Sequence, residues 1–305
     1  MKISTFLTDV KTKSLDFSLK NLRTLDQSLP TLNFSHHFSE QSFLEDAERT
    51  EVVVTWRFEE SWYHQFPQLK TLYTPAAGHE WVKRDPLGQV SIIHGTFHGT
   101  ILAESLIGAL LFMNRRMPAM IKNHRDRNWD RNLQSQTRLL KDQTVIIIGY
   151  GNIARTCASA LRPMVARIIG VKRNSDGEGT FQTSQLPNLL PHADHVVLLL
   201  PGTTETDRFM NSDMLALMKN GSYIYNFGRG NSLLAEDLLP AMEYLGGAFL
   251  DVTEEEPLPP CSALWSHENI FITPHSSCIC DDYSKLYIDE LIHNLTLCCL
   301  LYTSP

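Results

Sequence analysis

The stretch "TVIIIGYGNIAR", residues 144–155, passes from a continuous apolar run into a glycine turn and then into the helical "ARTCASALRPM". Gly149, Gly151 and Ala154 stand in the pattern G-x-G-x-x-A. Two glycines let the backbone turn sharply and approach a pyrophosphate. A small third residue lets helix and strand pack closely, so that the phosphate meets the helix N-terminus. The spacing alone is a weak signal, but a strand before it and a helix after it predict a dinucleotide-binding unit.

Outward from that turn, apolar runs recur at intervals of roughly 20 to 30 residues: "RIIGV", "HVVLLLP", "SYIYNF", "GAFLDV" and "NIFITPH". Such runs, alternating with amphipathic stretches, mark parallel strands buried on both faces by crossover helices. The reading is a doubly wound α/β sheet. A weaker series, "ISTFL", "EVVVTW", "LKTLYT" and "VSII", supplies candidate strands in the N-terminal third. Between the two blocks, "ILAESLIGALLFMNRR" is apolar almost all round, as expected of a helix buried between domains or subunits. In "DDYSKLYIDELIHNL", Ile288, Leu291, Ile292 and Leu295 fall at i, i+3, i+4 and i+7 and predict a closing amphipathic helix.

A length of 305 residues with 43% hydrophobic side chains predicts about two domains, each able to bury a core. The formal charge of -7 argues against a general polyanion binder, so any bound anion must be held by a local cluster. The basic segment 115–138, with little aromatic interleaving, reads as a solvated arm at a subunit interface rather than a nucleic-acid patch. The first residues, "MKISTFLTDVK", hold too short an apolar stretch for a signal peptide, and no run reaches the roughly 18 apolar residues of a membrane span. A cytoplasmic protein is expected, without membrane or nucleic-acid partners. Its six cysteines, at 157, 261, 278, 280, 298 and 299, lack zinc spacing and read as free thiols, with no metal.

In a fold of this kind the last residue of the second strand faces the adenosine ribose, and an acid there selects NAD through the 2′-hydroxyl. Lys172 lies 21 residues after Gly151, at the end of "RIIGVKRN", with Arg173 beside it. Two cations in place of the acid suit a 2′-phosphate, which predicts NADP (NADPH) in preference to NAD.

Ligands of open α/β sheets sit at the carboxyl ends of the strands. There Arg229 follows "SYIYNFG", Asp251 ends "GAFL", Glu256 comes five residues later and His275 follows "NIFITP". An Arg binds a carboxylate bidentately, a His exchanges a proton with a carbonyl oxygen, and a Glu holds and polarises that His. Together they describe hydride transfer to a 2-oxo acid.

The motifs "TVIIIGYGNIAR", "NFGRGNSLLAEDLL" and "GAFLDVTEEEPLPPCSALWSHENIFITPH" resemble the D-isomer-specific 2-hydroxyacid dehydrogenases, a family that includes phosphoglycerate dehydrogenase and the glyoxylate and hydroxypyruvate reductases. The likeness extends more loosely over residues 70–300. It implies a Rossmann-type doubly wound sheet plus a smaller flavodoxin-like α/β substrate domain in split-chain topology. Residues 1–98 and 279–305 would form the substrate domain and residues 99–278 the dinucleotide-binding domain, with "HGTFHG" and "SSCIC" as the crossings. The resemblance implies that Arg229 holds the substrate, His275 is the acid/base and Glu256 orients it. It implies that the amides of Ala77 and Gly78, in "PAAGHE", meet the carboxylate, and that Asp251 contacts the nicotinamide carboxamide. Asn152 and Ile153 would offer amides to the pyrophosphate, and Tyr150, Pro201, Thr206 and Phe227 would complete the cofactor contacts. A homodimer is expected.

Two departures bear on substrate identity: Cys278 stands where the family usually has Gly, and Gly78, His79, Glu80 replace G-V-D. An alternative of another class is a cofactor-sensing interaction module of the corepressor type with little or no turnover.

Overall fold

The computed structural model describes residues 1–8, 15–175, 177 and 179–303, so part of "MKISTFLTDVK" lies outside the described residues. The chain opens with β1 (Lys2–Phe6), α1 (Leu19–Ser28), β2 (Asn33–His37), α2 (Glu40–Glu45), β3 (Val52–Thr55), β4 (Thr71–Thr74) and β5 (Ser91–His94). There follow α3 (His98–Asn114), α4 (Met117–Arg125), β6 (Thr144–Ile148), α5 (Asn152–Leu161), β7 (Arg167–Lys172), β8 (Thr180–Gln182) and α6 (Leu186–Leu189). The chain continues with β9 (His195–Leu198), α7 (Ser212–Ala216), β10 (Tyr223–Asn226), α8 (Ala235–Ala241), β11 (Gly247–Leu250), β12 (Ile270–Ile272) and α9 (Tyr283–Thr303).

The chain divides into two compact units, Met1–His98 with Ile279–Pro305, and Gly99–Cys278. The first carries a parallel sheet in the order β2-β1-β3-β4-β5, the flavodoxin-like order. Phe6, Phe43, Phe58, Trp62, Phe66 and Leu72 form a core within this unit. Phe17 meets Tyr287 of α9 edge-on, and Trp56 stacks on Tyr283, so α9 completes the unit from the far end of the chain. Of the closing helix's predicted apolar positions, Ile288, Leu291 and Leu295 are buried and Ile292 partly so.

The second unit carries seven parallel strands in the order β12-β11-β10-β9-β6-β7-β8, two halves that diverge between β6 and β9. The unbroken apolar run of β6 reflects burial on both faces. Ile146 and Ile148 enter one core with Val196, Leu198, Ile224 and Leu250. Val145 and Ile147 enter another with Leu106, Leu110, Cys157 and Tyr225. Beyond the sequence expectation are two edge strands, β2 and β8.

Helix α4, on the basic segment, buries none of its residues. No helix among the described residues is long and apolar enough to cross a membrane.

Candidate active site

At the end of β6 the chain turns at Gly149, where φ is +93° and a Cβ would lie 2.4 Å from the Leu199 carbonyl oxygen. Only glycine combines that dihedral with that approach. The amides of Gly149 and Tyr150 both donate to the Val171 carbonyl, at 2.9 and 3.1 Å, which pins the turn between β6 and β7. Gly151 is the N-cap of α5, and a Cβ there would meet nothing within 4 Å. Packing within the chain therefore does not demand that glycine, whereas close approach of a bound phosphate would. The first-turn amides of α5, from Asn152 and Ile153, belong to the set an α-helix cannot satisfy internally and carry the positive end of its dipole. Ala154, the third small residue, is buried against the sheet. These features fit a dinucleotide pyrophosphate.

Other residues expected near the cofactor take up defined structural places. The Tyr150 ring lies over Gly170 of β7, where a Cβ would come within 2.5 Å of it. The Thr206 hydroxyl donates to the Pro201 carbonyl and accepts the Thr203 amide at 3.0 Å, bracing the loop after β9. Phe227 is buried in the second unit's core and stacks on Phe249. Lys172 closes β7, opposite Gln182 of β8. Arg173 donates from Nη2 to Glu205 Oε2 at 2.8 Å.

Arg229 follows β10 between two glycines. A Cβ at Gly228 would lie 2.5 Å from the Leu200 carbonyl oxygen, and one at Gly230 only 1.8 Å from that of Thr253. The Arg229 carbonyl accepts the Ser232 hydroxyl at 2.8 Å and the Asn226 side-chain amide at 3.2 Å, while Nη1 donates to the Gly228 carbonyl at 2.8 Å. Gly230 thus seats the arginine turn on Thr253, and the Thr253 amide in turn donates to Glu256 Oε1 at 3.2 Å. The other oxygen, Glu256 Oε2, stands 2.8 Å from His275 Nδ1. This chain of contacts links the backbone turn after Arg229 to the Glu256–His275 pair, although Arg229 and His275 stand 46 positions apart in sequence.

His275 sits at φ +49°, in the left-handed region where non-glycine residues are uncommon. Asp251 compensates. Its carbonyl accepts the His275 amide at 2.8 Å, and its buried carboxylate accepts the Thr273 hydroxyl at 2.6 Å and the amides of Ser276 at 3.0 Å and Ser277 at 3.2 Å. From α3, the Ser105 hydroxyl donates to the Ser277 carbonyl at 2.7 Å. With Nδ1 engaged by Glu256, Nε2 is the imidazole nitrogen available for proton exchange with a substrate. Behind the turn lies an apolar cavity of about 260 Å³ lined in part by Phe112, Phe227, Phe249, Phe271 and Thr273.

Sequence reasoning missed Thr273, Asn226 and Glu205. Asn226, the last residue of β10, and Thr273, next after β12, stood at strand ends already under inspection and could have been singled out there. Glu205 carries no such signal, because its partner lies 32 residues away.

In the first unit, Ala77 and Gly78 follow β4 on a partly buried loop. His79 Nδ1 meets His94 Nε2 at 2.9 Å, and His94 Nδ1 donates to the Ala76 carbonyl at 3.2 Å. Burial, and secondarily the neighbouring His79, lower the His94 pKa. Cys278 packs against the second unit's core. Burial pushes the Cys157 thiol up to about 12, an unreactive setting. The side chains of Cys298 and Cys299 lie outside the described residues.

Residues 107–277 match the family described as D-isomer specific 2-hydroxyacid dehydrogenase, NAD binding domain. A glyoxylate reductase of Thermofilum pendens is 29% identical over 222 residues, 68% of this chain and 66% of that protein. Glyoxylate/hydroxypyruvate reductase A of Klebsiella pneumoniae is 34% identical over 159 residues, 50% of this chain and 51% of the relative. The matched stretches thus span between about half and just under two thirds of these curated relatives. A D-isomer specific 2-hydroxyacid dehydrogenase of Xanthobacter autotrophicus, solved with NADPH and MES, superposes with a TM-score of 0.82 at 25% identity, covering 97% of this chain and 95% of that one.

Proposed function

Since the chain belongs to the D-isomer specific 2-hydroxyacid dehydrogenase family, we propose that it reduces a small 2-oxo acid to the D-2-hydroxy acid, with NADPH preferred over NADH. The observation that carries this reading is the His275 Nδ1 to Glu256 Oε2 contact of 2.8 Å on a turn that the Asp251 carboxylate holds. When bound, the nicotinamide dinucleotide supplies the hydride. Glu256 accepts a hydrogen bond from Nδ1–H, which keeps its proton, and fixes the ring, so His275 delivers its Nε2 proton to the carbonyl oxygen and recovers it in the reverse direction. Arg229 binds the substrate carboxylate and polarises the carbonyl. The amides of Asn152 and Ile153 hold the pyrophosphate, and Asp251 holds the carboxamide in addition to the 273–277 turn. The assignment of Ala77 and Gly78 to substrate binding is part of the same proposal.

NADPH preference is supported by Lys172 at the strand end where NAD-selecting relatives place an acid, and by the NADPH found in the Xanthobacter structure. Glyoxylate and hydroxypyruvate are the first substrates to try, by the names of the relatives.

The test follows NADPH and NADH absorbance with glyoxylate, hydroxypyruvate and longer 2-oxo acids. His275→Gln is expected to lose at least about 100-fold in kcat while still binding cofactor. Silence of the parent protein across the panel, with tight cofactor binding, would favour the interaction module instead. A homodimer in the cytoplasm is proposed as well. Its support is the exposed Leu111, Met117 and Met120 on α3 and α4, and a monomeric mass by light scattering, or activity confined to the membrane fraction, would overturn it.

A further inference from the structure

The basic pair at the end of β7 does not face solvent alone. Arg173 Nη2 is engaged at 2.8 Å by Glu205 Oε2, a carboxylate delivered from the loop after β9. In the sheet order, β7 and β9 flank β6 on either side. An acid therefore reaches the ribose end of the site from across the phosphate turn, while the strand position that would usually supply one holds Lys172. We infer that Glu205 sets how strongly this site discriminates between a dinucleotide with a 2′-phosphate and one with a free 2′-hydroxyl. This rests on the proposal that residues 172 and 173 face the adenosine ribose.

The loop that presents Glu205 is braced at several points. The Thr206 hydroxyl donates to the Pro201 carbonyl, the Thr203 amide donates to Thr206 Oγ1 at 3.0 Å, and the Thr203 hydroxyl reaches Glu205 Oε2 at 3.4 Å. The carboxylate is thus tethered beside Arg173. The pair itself is weak, because its two side chains are 69% and 63% exposed and such pairs change an equilibrium only a few-fold. A 2′-phosphate can take over the guanidinium at little cost, since a dianion with several acceptor oxygens is the stronger partner. The displaced carboxylate remains within the reach of its loop and repels the phosphate. Toward a 2′-hydroxyl, the same carboxylate acts as an acceptor, the task a strand-end acid performs in NAD-binding sheets. Glu205 therefore curbs the preference for NADPH and keeps the site open to NADH.

The experiment is calorimetric titration of the whole protein with 2′,5′-ADP and with 5′-AMP, which differ only in the 2′-phosphate and involve no turnover. Glu205→Gln is expected to tighten 2′,5′-ADP binding about 5- to 10-fold and leave 5′-AMP unchanged or weaker. That gain should shrink as salt is raised, because the charges are exposed. A ratio of the two dissociation constants that stays within about twofold of the parent protein's would overturn the inference. Failure of the underlying reading looks different. A parent protein that binds both probes equally counts against NADPH preference, whereas a rise of the ratio in Glu205→Gln would still support the role of Glu205.

Discussion

At the residue scale, the proposed preference for NADPH rests on Lys172 more than on its neighbour, because Lys172 is the last residue of β7, where an NAD-selecting acid would stand, and Arg173 lies one position beyond. Lys172→Asp places an anion where a 2′-phosphate would sit and an acceptor where a 2′-hydroxyl would. The ratio of kcat/KM for NADPH over NADH is expected to fall about tenfold or more. An unchanged ratio would mean that Lys172 plays no part in cofactor choice. Arg229, Glu256 and His275 were legible as candidates because each carries distinctive chemistry directly after an apolar run or shortly beyond one. What ties their turns together was not legible. That depends on Gly230 fitting against the Thr253 carbonyl and on Asp251 gathering the amides of Ser276 and Ser277, contacts that no residue type announces.

Among the elements, β9 and β10 begin with a buried polar network rather than with aliphatic side chains alone. His195, fully buried, donates from Nε2 to the Gln143 side-chain oxygen and accepts the Tyr225 hydroxyl on Nδ1 at 2.9 Å. Gln143 passes the chain on to Asn114 of α3 at 2.9 Å. Burial lowers the His195 pKa to about 4 from 6.5. The unfolded chain therefore binds the extra proton more readily, so stability contributed by neutral His195 is complete above pH 6.5 and is lost as pH falls from 6.5 toward 4. The loss is on the order of 3 kcal/mol. Urea unfolding across that range should show it, and a His195→Gln variant should show a flatter dependence. A parent protein whose midpoint holds steady from pH 6.5 to 4.5 would refute it. The strands on both sides of this network were legible as apolar runs, because burial on two faces leaves little room for polar residues. The edge strands β2 and β8 were not. "NFSHH" is only partly buried and mostly polar, and "TFQ" is three residues long, so neither shows an apolar run or a period.

For the molecule as a whole, the order of the chain differs from the order of its units. The second unit is one continuous stretch with apolar cores on both faces of its sheet. The first needs α9, where Tyr283 and Tyr287 meet Trp56, Phe17 and Phe97. The expected outcome of deleting residues 283–303 is that amides of β1 to β5 lose protection in hydrogen exchange while those of β6 to β12 keep it. Equal protection of the first unit with and without α9 would contradict this. The same arrangement bears on how the protein is made. Ribosomes add roughly 5 to 20 residues per second, so the first unit's aromatic face stays uncovered for roughly 10 to 40 seconds while the second is synthesised and free to fold. A newborn chain is then half finished in an unusual sense, with its later portion folded and its earlier portion still a client for chaperones. Slow codons between residues 98 and 283 would lengthen that exposure, so synthesis rate as well as sequence is expected to bear on the yield of folded protein.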